Sequence, residues 1–301
     1  MNETTTQAQV AVIGRSEPMA IVRTIAELRE LLEDAPRPIG LVPTMGALHE
    51  GHLALLERAR SASATVVMSL FVNPSQFAPG EDLGAYPRDE ARDLELAAAA
   101  GVDVVFAPSR REIYPDGFDT SVVVGGVSER LEGAARGAEH FRGVATVVTK
   151  LLNIVAPQVA YFGQKDAQQA LVIRRLVRDL DIPTAIEVCP TVRAADGLAL
   201  SSRNAYLDAA ERERATALWR SLQSAAEMIA AGERDSAAAR AAALAELHAR
   251  GIEPEYLEIV DPETLEPVTQ IAGPVLVALA ARVGAARLID NILAEPGIAC
   301  A

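Results

Sequence analysis

Through the first two thirds of the chain, apolar runs of strand length alternate with segments that repeat at helical spacing, and this rhythm limits the fold more than any other feature. "PIGLVP" (38–43), "ATVVMSLFV" (64–72), "VDVVFAP" (102–108), "QVAYFG" (158–163) and "TAIEVCP" (184–190) are rich in apolar and β-branched residues, with little polar alternation. Strands of that kind are covered on both faces, and helices between them make the crossovers of a parallel sheet. One helix is predicted after Thr24, which with Glu27 forms a capping-box pattern ahead of Ile25, Leu28, Leu31 and Leu32. Others are predicted from His52 through Ala59, over 89–100, from Phe141 to Val155 and over 166–180. The expected fold is a Rossmann-like α/β sheet with helices on both faces, spanning residues 18–190 and preceded by a loose N-terminal arm, residues 1–17.

Near Pro190 the texture changes. Alanine-rich helices over 208–231 and 235–250 precede "EYLEIVD" and "PVLVALAARVG", which read as strands of a smaller C-terminal α+β lid domain, residues 191–301. Forty-one acidic against 28 basic side chains give a net charge of -13, a balance that repels a phosphate backbone and argues against nucleic acid as a partner. No run reaches membrane-spanning length, so no membrane partner is expected. Of two cysteines, Cys189 and Cys300, one is the penultimate residue, which gives a disulfide framework no support and favours a cytoplasmic setting.

Two of the four histidines stand in "PTMGALHEGH" (43–52), between the strand at 38–43 and its helix. Ligands of open parallel sheets sit at such strand-to-helix loops. Gly46 and Gly51 let backbone approach a ligand, the helix N-terminus offers free N–H groups, and His49 and His52 can donate to phosphate oxygens. Two imidazoles three apart could also hold a metal, although H-E-G-H is not the H-E-x-x-H of zinc proteases; neither GxxxxGK[ST] nor GxGxxG occurs. A second such loop, "YFGQKDAQQ" (161–169), brings Lys165 for phosphate and Asp166 for a ribose hydroxyl or a helix cap. "LSSRN" (200–204) follows the glycine-containing "RAADG" and supplies Ser201, Ser202 and Arg203, the composition of a phosphate-closing loop or of a plain surface turn. "FVNPSQF" (71–77) and the pair Gln168 and Gln169 add uncharged amides, suited to the hydroxyls and carboxylate of a small polar substrate or to satisfied loops.

In this order, "LVPTMGALHEGHLAL", "SLFVNPSQF", "YPRD", "HFRGVATVVTKL", "YFGQKDAQQ", "PTVRAADGLALSSRN" and "RLIDNI" resemble the pantoate-beta-alanine ligase family, of the HxGH nucleotidyltransferase-like group. The resemblance implies joining of D-pantoate to beta-alanine through a pantoyl adenylate, using ATP and Mg2+ and releasing AMP and pyrophosphate, in a homodimer. Carried residue by residue, it implies that His49, His52, Lys165, Ser201, Ser202 and Arg203 are catalytic, with His52 the proton donor. It implies that ATP meets Met45, Gly46, Gly163, Gln164, Asp166, Val192 and Leu200 as well, and that Pro43, Thr44, Met45, Gln76 and Gln169 hold pantoate or beta-alanine. "RGAEHF", with Arg136 and His140, matches a stretch near the family's site with one residue of extra spacing. The chain departs from the family where Gln164 and Ala167 flank Lys-Asp and where Ser75 and Leu200 replace methionine. Past "YPRD" it has Arg92 and Asp93, so Mg2+ is expected on the ATP phosphates with Asp93 helping through water.

Overall fold

The structure, a computed structural model, describes residues 18–77, 83, 84 and 86–297. The expected arm, residues 1–17, lies outside the described residues, as does Cys300. The elements in chain order are β1 (Ala20–Val22), α1 (Ile25–Glu33), β2 (Ile39–Thr44), α2 (Glu50–Ala62), β3 (Thr65–Leu70), α3 (Glu90–Ala99), β4 (Val104–Phe106), α4 (Arg110–Ile113), α5 (Leu131–Arg136), α6 (Ala138–Val155), β5 (Val159–Gly163), α7 (Ala167–Asp179), β6 (Ala185–Cys189), α8 (Ala209–Ala230), α9 (Ser236–His248), β7 (Pro254–Val260), β8 (Val275–Val283) and β9 (Ala286–Ala294).

The first six strands form one parallel sheet in the order β1-β4-β3-β2-β5-β6. Leu55, Leu56 and Ala59 of α2 and Ala97 of α3 pack on one face. Leu28 and Leu32 of α1, the Val144–Val155 stretch of α6, and Val172 and Ile173 of α7 cover the other. Chain progression from β2 to β4 and from β5 to β6 runs outward in opposite directions, with helices on opposite faces, as right-handed crossovers require. The direction reverses between β2 and β5. The Rossmann-like expectation is therefore met, and so is the capping box: Thr24 Oγ1 accepts from Glu27 N–H at 3.2 Å while Glu27 accepts from Thr24 N–H at 2.9 Å.

The second sheet is antiparallel, β7-β8-β9, with α8 and α9 on one face. Val277, Leu279, Ala281 and Val283 of β8 face those helices, whereas Leu276 and Ala278 join the core of the first sheet. Burial on both sides explains why β8 reads as an unbroken apolar run. Two strands lie outside the expectations from sequence. β1 is three residues long, and β9 carries Arg287, Asp290 and Asn291 within an otherwise apolar stretch. Those polar groups find their partners on other elements. Glu132 of α5, 7% exposed, accepts from Arg287 Nη1 and Nη2 at 2.8 Å each and from the Tyr256 hydroxyl at 2.9 Å, and Arg287 Nε reaches Glu255 at 2.7 Å. Among the described residues no helix is long and apolar enough to cross a membrane.

A buried ion pair is costly to break from one side, because the surviving charge is left desolvated. Glu132→Ala is expected to destabilise the fold by about 3 kcal/mol. The double change Glu132→Met with Arg287→Met should cost clearly less, and equal losses in urea melts of the two variants would show that no pairing energy joins α5 to β9.

Candidate active site

The site grows from the end of β2. After Thr44 the chain turns through Gly46 (φ 84°) and Ala47 (φ 51°), and the left-handed conformation of a non-glycine residue costs roughly 1–2 kcal/mol. Asp93, 2% exposed in the first turn of α3, offsets that cost: its two carboxylate oxygens accept from Ala47 N–H at 2.9 Å and Leu48 N–H at 2.7 Å. A Cβ on Gly46 would lie 2.8 Å from the same carboxylate. From sequence, Asp93 is expected to help Mg2+ through water; here each of its oxygens also accepts from the backbone of the histidine turn. Among the described residues no group of three or more His, Cys, Asp or Glu could hold a metal ion.

His49 then caps α2. Its Nδ1 accepts from Gly51 N–H at 3.1 Å, and His52 Nδ1 accepts from His49 N–H at 3.4 Å, so imidazoles take the places that oxygen side chains hold in an ordinary capping box. With both Nδ1 atoms accepting, each neutral ring carries its proton on Nε2. The rings lie 4.2 Å apart, centroid to centroid. Burial, then the charge of Lys165, lowers the His49 pKa against the opposing pull of Glu50 and Asp166. Burial, then His49 and Lys165, takes His52 down to about 3. Both rings are neutral hydrogen-bond donors at neutral pH, and His52 is no acid until a ligand changes its surroundings. Gly51 is required by His49 itself: a Cβ there would sit 2.8 Å from His49 Cε1 and 2.9 Å from Nδ1.

Beyond β5, the short turn Gln164–Asp166 opens α7. Lys165 Nζ stands 3.7 Å from Asp166 Oδ2, and Asp166 makes no side-chain cap bond, which removes the plain-cap reading. After β6, "RAADG" closes as a hairpin, with Ala194 N–H on Leu198 O and Gly197 N–H on Ala194 O, both 2.9 Å. Leu200 N–H then bonds Val192 O at 3.0 Å, and Ser201 caps the turn Ser202–Tyr206 by accepting from Arg203 N–H at 3.3 Å. Ser202 Oγ is 3.5 Å from the Tyr86 hydroxyl.

These loops surround one cavity of about 220 Å³ at the carboxyl end of the sheet. Pro43, Thr44, Met45, His49, His52, Gln76, Gly163, Lys165, Asp166, Gln169, Val192, Leu200, Ser201, Ser202 and Arg203 all line it. Gly46, Gln164 and Gln168 do not line it. Gly46 faces Asp93 instead of the cavity. Gln164 is turned away, its amide donating to Asn291 Oδ1 at 3.0 Å. Gln168 is a buried structural amide that donates to Val127 O and Arg130 O and accepts from Glu132 N–H.

The cavity has an apolar side, Phe71, Val144, Val147, Val148, Leu151 and Phe162, which sequence reading does not single out although α6 repeats valine at helical spacing. Asn73, 1% exposed, shapes the "NPSQ" turn by accepting from Ser75 N–H and the Tyr114 hydroxyl and donating to Gly143 O and Gln76 Oε1. Gln76 Nε2 reaches Met45 Sδ at 3.1 Å. His140 Nδ1 is 2.9 Å from Gln76 O and its Nε2 is 3.0 Å from Arg136 Nη1, so His140 holds the Gln76 backbone. Arg136 and His140 line an adjoining cavity of about 360 Å³ that shares Met45, Gln76, Lys165 and Arg203 with the first and is bounded on its far side by β9.

Residues 20–293 match the family model for pantoate-beta-alanine ligase. The chain belongs to the pantoate-beta-alanine ligase family. It is 52% identical over 278 residues to a pantothenate synthetase of Roseiflexus castenholzii, covering 92% of this chain and all of the relative. It is 54% identical over 281 residues to one of Moorella thermoacetica, covering 92% of this chain and 99% of the relative. Among solved structures, pantothenate synthetase of Thermus thermophilus superposes with TM-score 0.87 at 50% identity, over 91% of this chain and 99% of that one. The ligase of Francisella tularensis, complexed with beta-gamma ATP and beta-alanine, superposes with TM-score 0.77 at 35% identity, over 91% and 97% of the two chains.

Two predictions come from the histidine turn. Gly51→Ala must displace the His49 ring, and it is expected to slow the family reaction at least about 10-fold, the scale for losing one placed donor, with little change in melting temperature; wild-type turnover would refute the steric argument. The second concerns pH. An unfolded histidine takes up its proton near pH 6.5, whereas folded His52 does so only near 3, so the unfolded state binds more protons in that window and stability falls as pH drops through it. His52→Asn should make the fall in unfolding free energy between pH 6.5 and 3 shallower, by up to about 1.4 kcal/mol per pH unit, and an unchanged slope would contradict the burial of a neutral ring.

Proposed function

We propose that this protein joins D-pantoate to beta-alanine using ATP, through a pantoyl-adenylate intermediate, and releases AMP and pyrophosphate. The convergence of His49, His52, Lys165 and Arg203 on one cavity that also has an apolar wall and two glutamine amides carries this reading. A carboxylate does not accept an amine directly. Its oxygen attacks the α-phosphorus of ATP, the bond to the β-phosphate oxygen breaks, and pyrophosphate departs with the electron pair. The amine of beta-alanine then attacks the acyl carbon, AMP leaves, and the amine proton is lost.

In the first step, negative charge grows on the departing pyrophosphate. Nε2–H of His49 and His52, the Lys165 ammonium and the Arg203 guanidinium are placed to bind it before it forms, so little reorganisation accompanies the reaction. Gly163, Asp166, Val192 and Leu200 form the walls assigned to the nucleoside, and Ser201 and Ser202 bring hydroxyls to the phosphates. For pantoate, the valines of α6 with Phe71 and Phe162 suit a branched carbon skeleton, while Gln76 and Gln169 suit its hydroxyls and carboxylate. Held side by side, acid and nucleotide react as neighbours in place of a bimolecular encounter.

Asp166 is the one acidic side chain among the described residues lining this cavity, and Asp93 is committed to the backbone. The described residues therefore offer no cage for Mg2+, and the ion belongs to the substrate as MgATP, consistent with its reluctance to shed water. A homodimer, a cytoplasmic setting and the division into an ATP-binding unit (18–190) and a lid unit (191–301) are parts of the same reading, carried by resemblance and sequence texture.

The test is incorporation of labelled pyrophosphate into ATP. Exchange should require pantoate and proceed without beta-alanine. His49→Ala and Lys165→Ala should each slow it by about 10-fold to 1000-fold. Exchange independent of pantoate would overturn the assigned acid substrate, and a full rate in either variant would overturn that residue's role.

A further inference from the structure

The segment "RLIDNI", on β9, contributes nothing to the reaction as described, yet two of its side chains are spent on the loops that carry the cations. Asn291 is 5% exposed. Its Nδ2 donates to the carbonyls of Gln164 and Lys165 at 2.9 Å each, and its Oδ1 accepts from Gln164 Nε2 at 3.0 Å. A primary amide has two N–H donors and one carbonyl acceptor, and all three groups are engaged on two consecutive residues. Such a pattern fixes the orientation of both partners. The neighbouring Asp290, 3% exposed, orients the same backbone by accepting from Asn291 N–H at 2.8 Å and binds Arg193 at 2.5 and 2.9 Å. Arg193 lies 3.6 Å over the Trp219 ring and begins the hairpin that leads to Ser201 and Arg203.

We infer that Asn291 is the positioning residue for Lys165: through the two carbonyls it holds the 164–165 turn so that the ammonium points into the cavity. The inference rests on the proposed function for the role of Lys165, and it adds a device in the C-terminal sheet, 126 residues away in sequence, that the reaction depends on. The turn needs such a device. It lies past Gly163, the last residue of β5 paired in the sheet, and the lysine stem has four rotatable bonds to spread its charge over. Asp at this position would keep the shape of the side chain and set carboxylate oxygens against the two carbonyls. Ser would keep one donor at most.

A residue that acts through Lys165 must lose its effect when Lys165 is gone, whereas a merely structural residue keeps it. A double-mutant cycle separates the two. Asn291→Asp, Asn291→Ser, Lys165→Ala and the combinations are compared in pantoate-dependent pyrophosphate exchange and, independently, in calorimetric binding of inorganic pyrophosphate. Asn291→Asp is expected to slow exchange about 10-fold or more and to weaken pyrophosphate binding, and each combination should match Lys165→Ala alone within about twofold. Multiplying effects in the binding cycle would overturn the inference, as would an Asn291→Ser protein with wild-type exchange and binding. If Asn291→Asp does not fold, the Ser series decides. Absence of exchange in the wild-type protein would sink the proposed reaction, and the pyrophosphate-binding cycle would still decide the role of Asn291.

Discussion

The seam between β2 and β5 is the constraint from which the site follows. β2 pairs with β3 over six residues, Ile39 to Thr44, and β5 pairs with β6 over five, but β2 and β5 pair only at Gly40 with Val159 and Leu41 with Ala160. Past that point the strands part, because one feeds a helix on one face of the sheet and the other feeds a helix on the opposite face. The gap is the cavity, and the two loops at its lips carry His49 and His52 on one side and Lys165 and Asp166 on the other. Any sequence with this strand order would open a crevice here. What this sequence adds is the chemistry of the lips.

Each lip is held from behind by a buried polar side chain on a distant element. Asp93 of α3 fixes the histidine turn, and Asn291 of β9 fixes the lysine turn. Both sit where they accept or donate two hydrogen bonds to main chain, an arrangement that satisfies groups otherwise stranded at the ends of strands and helices. Loops that bind a flexible anionic ligand would lose much of its binding free energy to their own ordering if they were free to wander. Here that ordering is done on folding.

The balance of what could be read from sequence follows from this division. The loops after β2 and β5 are legible because glycine and histidine, or lysine and aspartate, interrupt apolar runs at strand ends, and the crossover pattern says those ends share one edge. The supports are not legible, because their partners are far away in sequence. Asp93 reads as a first-turn acid, and only the packing of α3 on the histidine turn turns it inward. Gln164 is assigned to the nucleotide by resemblance alone, and its amide is claimed by Asn291, 127 residues on. β9 is hidden because its Arg287, Asp290 and Asn291 look like surface residues and are in fact half of three buried pairings. Polar residues in an apolar strand announce that something distant answers them, and sequence alone does not say what.

Charge in the site shows why neutral histidines suit a polyanion. Lys165, whose side chain is 20% exposed, already places a cation beside the imidazoles, and protonating them in the same buried space would add like charges at close range. Before a nucleotide arrives, the site therefore keeps them as dipoles, which donate hydrogen bonds without the desolvation cost of a further ion. A polyanion set against Nε2–H would reverse the sign of the neighbourhood and favour the charged form of the rings, by the same rule that now disfavours it. The overall net charge of -13 does not oppose this, because beyond about 8 Å surface carboxylates are screened at physiological salt whereas the buried donors are not. An acidic protein can thus shelter the cations Lys165 and Arg203 and two imidazole donors around one cavity, and the field met there is that of the residues lining it and not of the molecule as a whole.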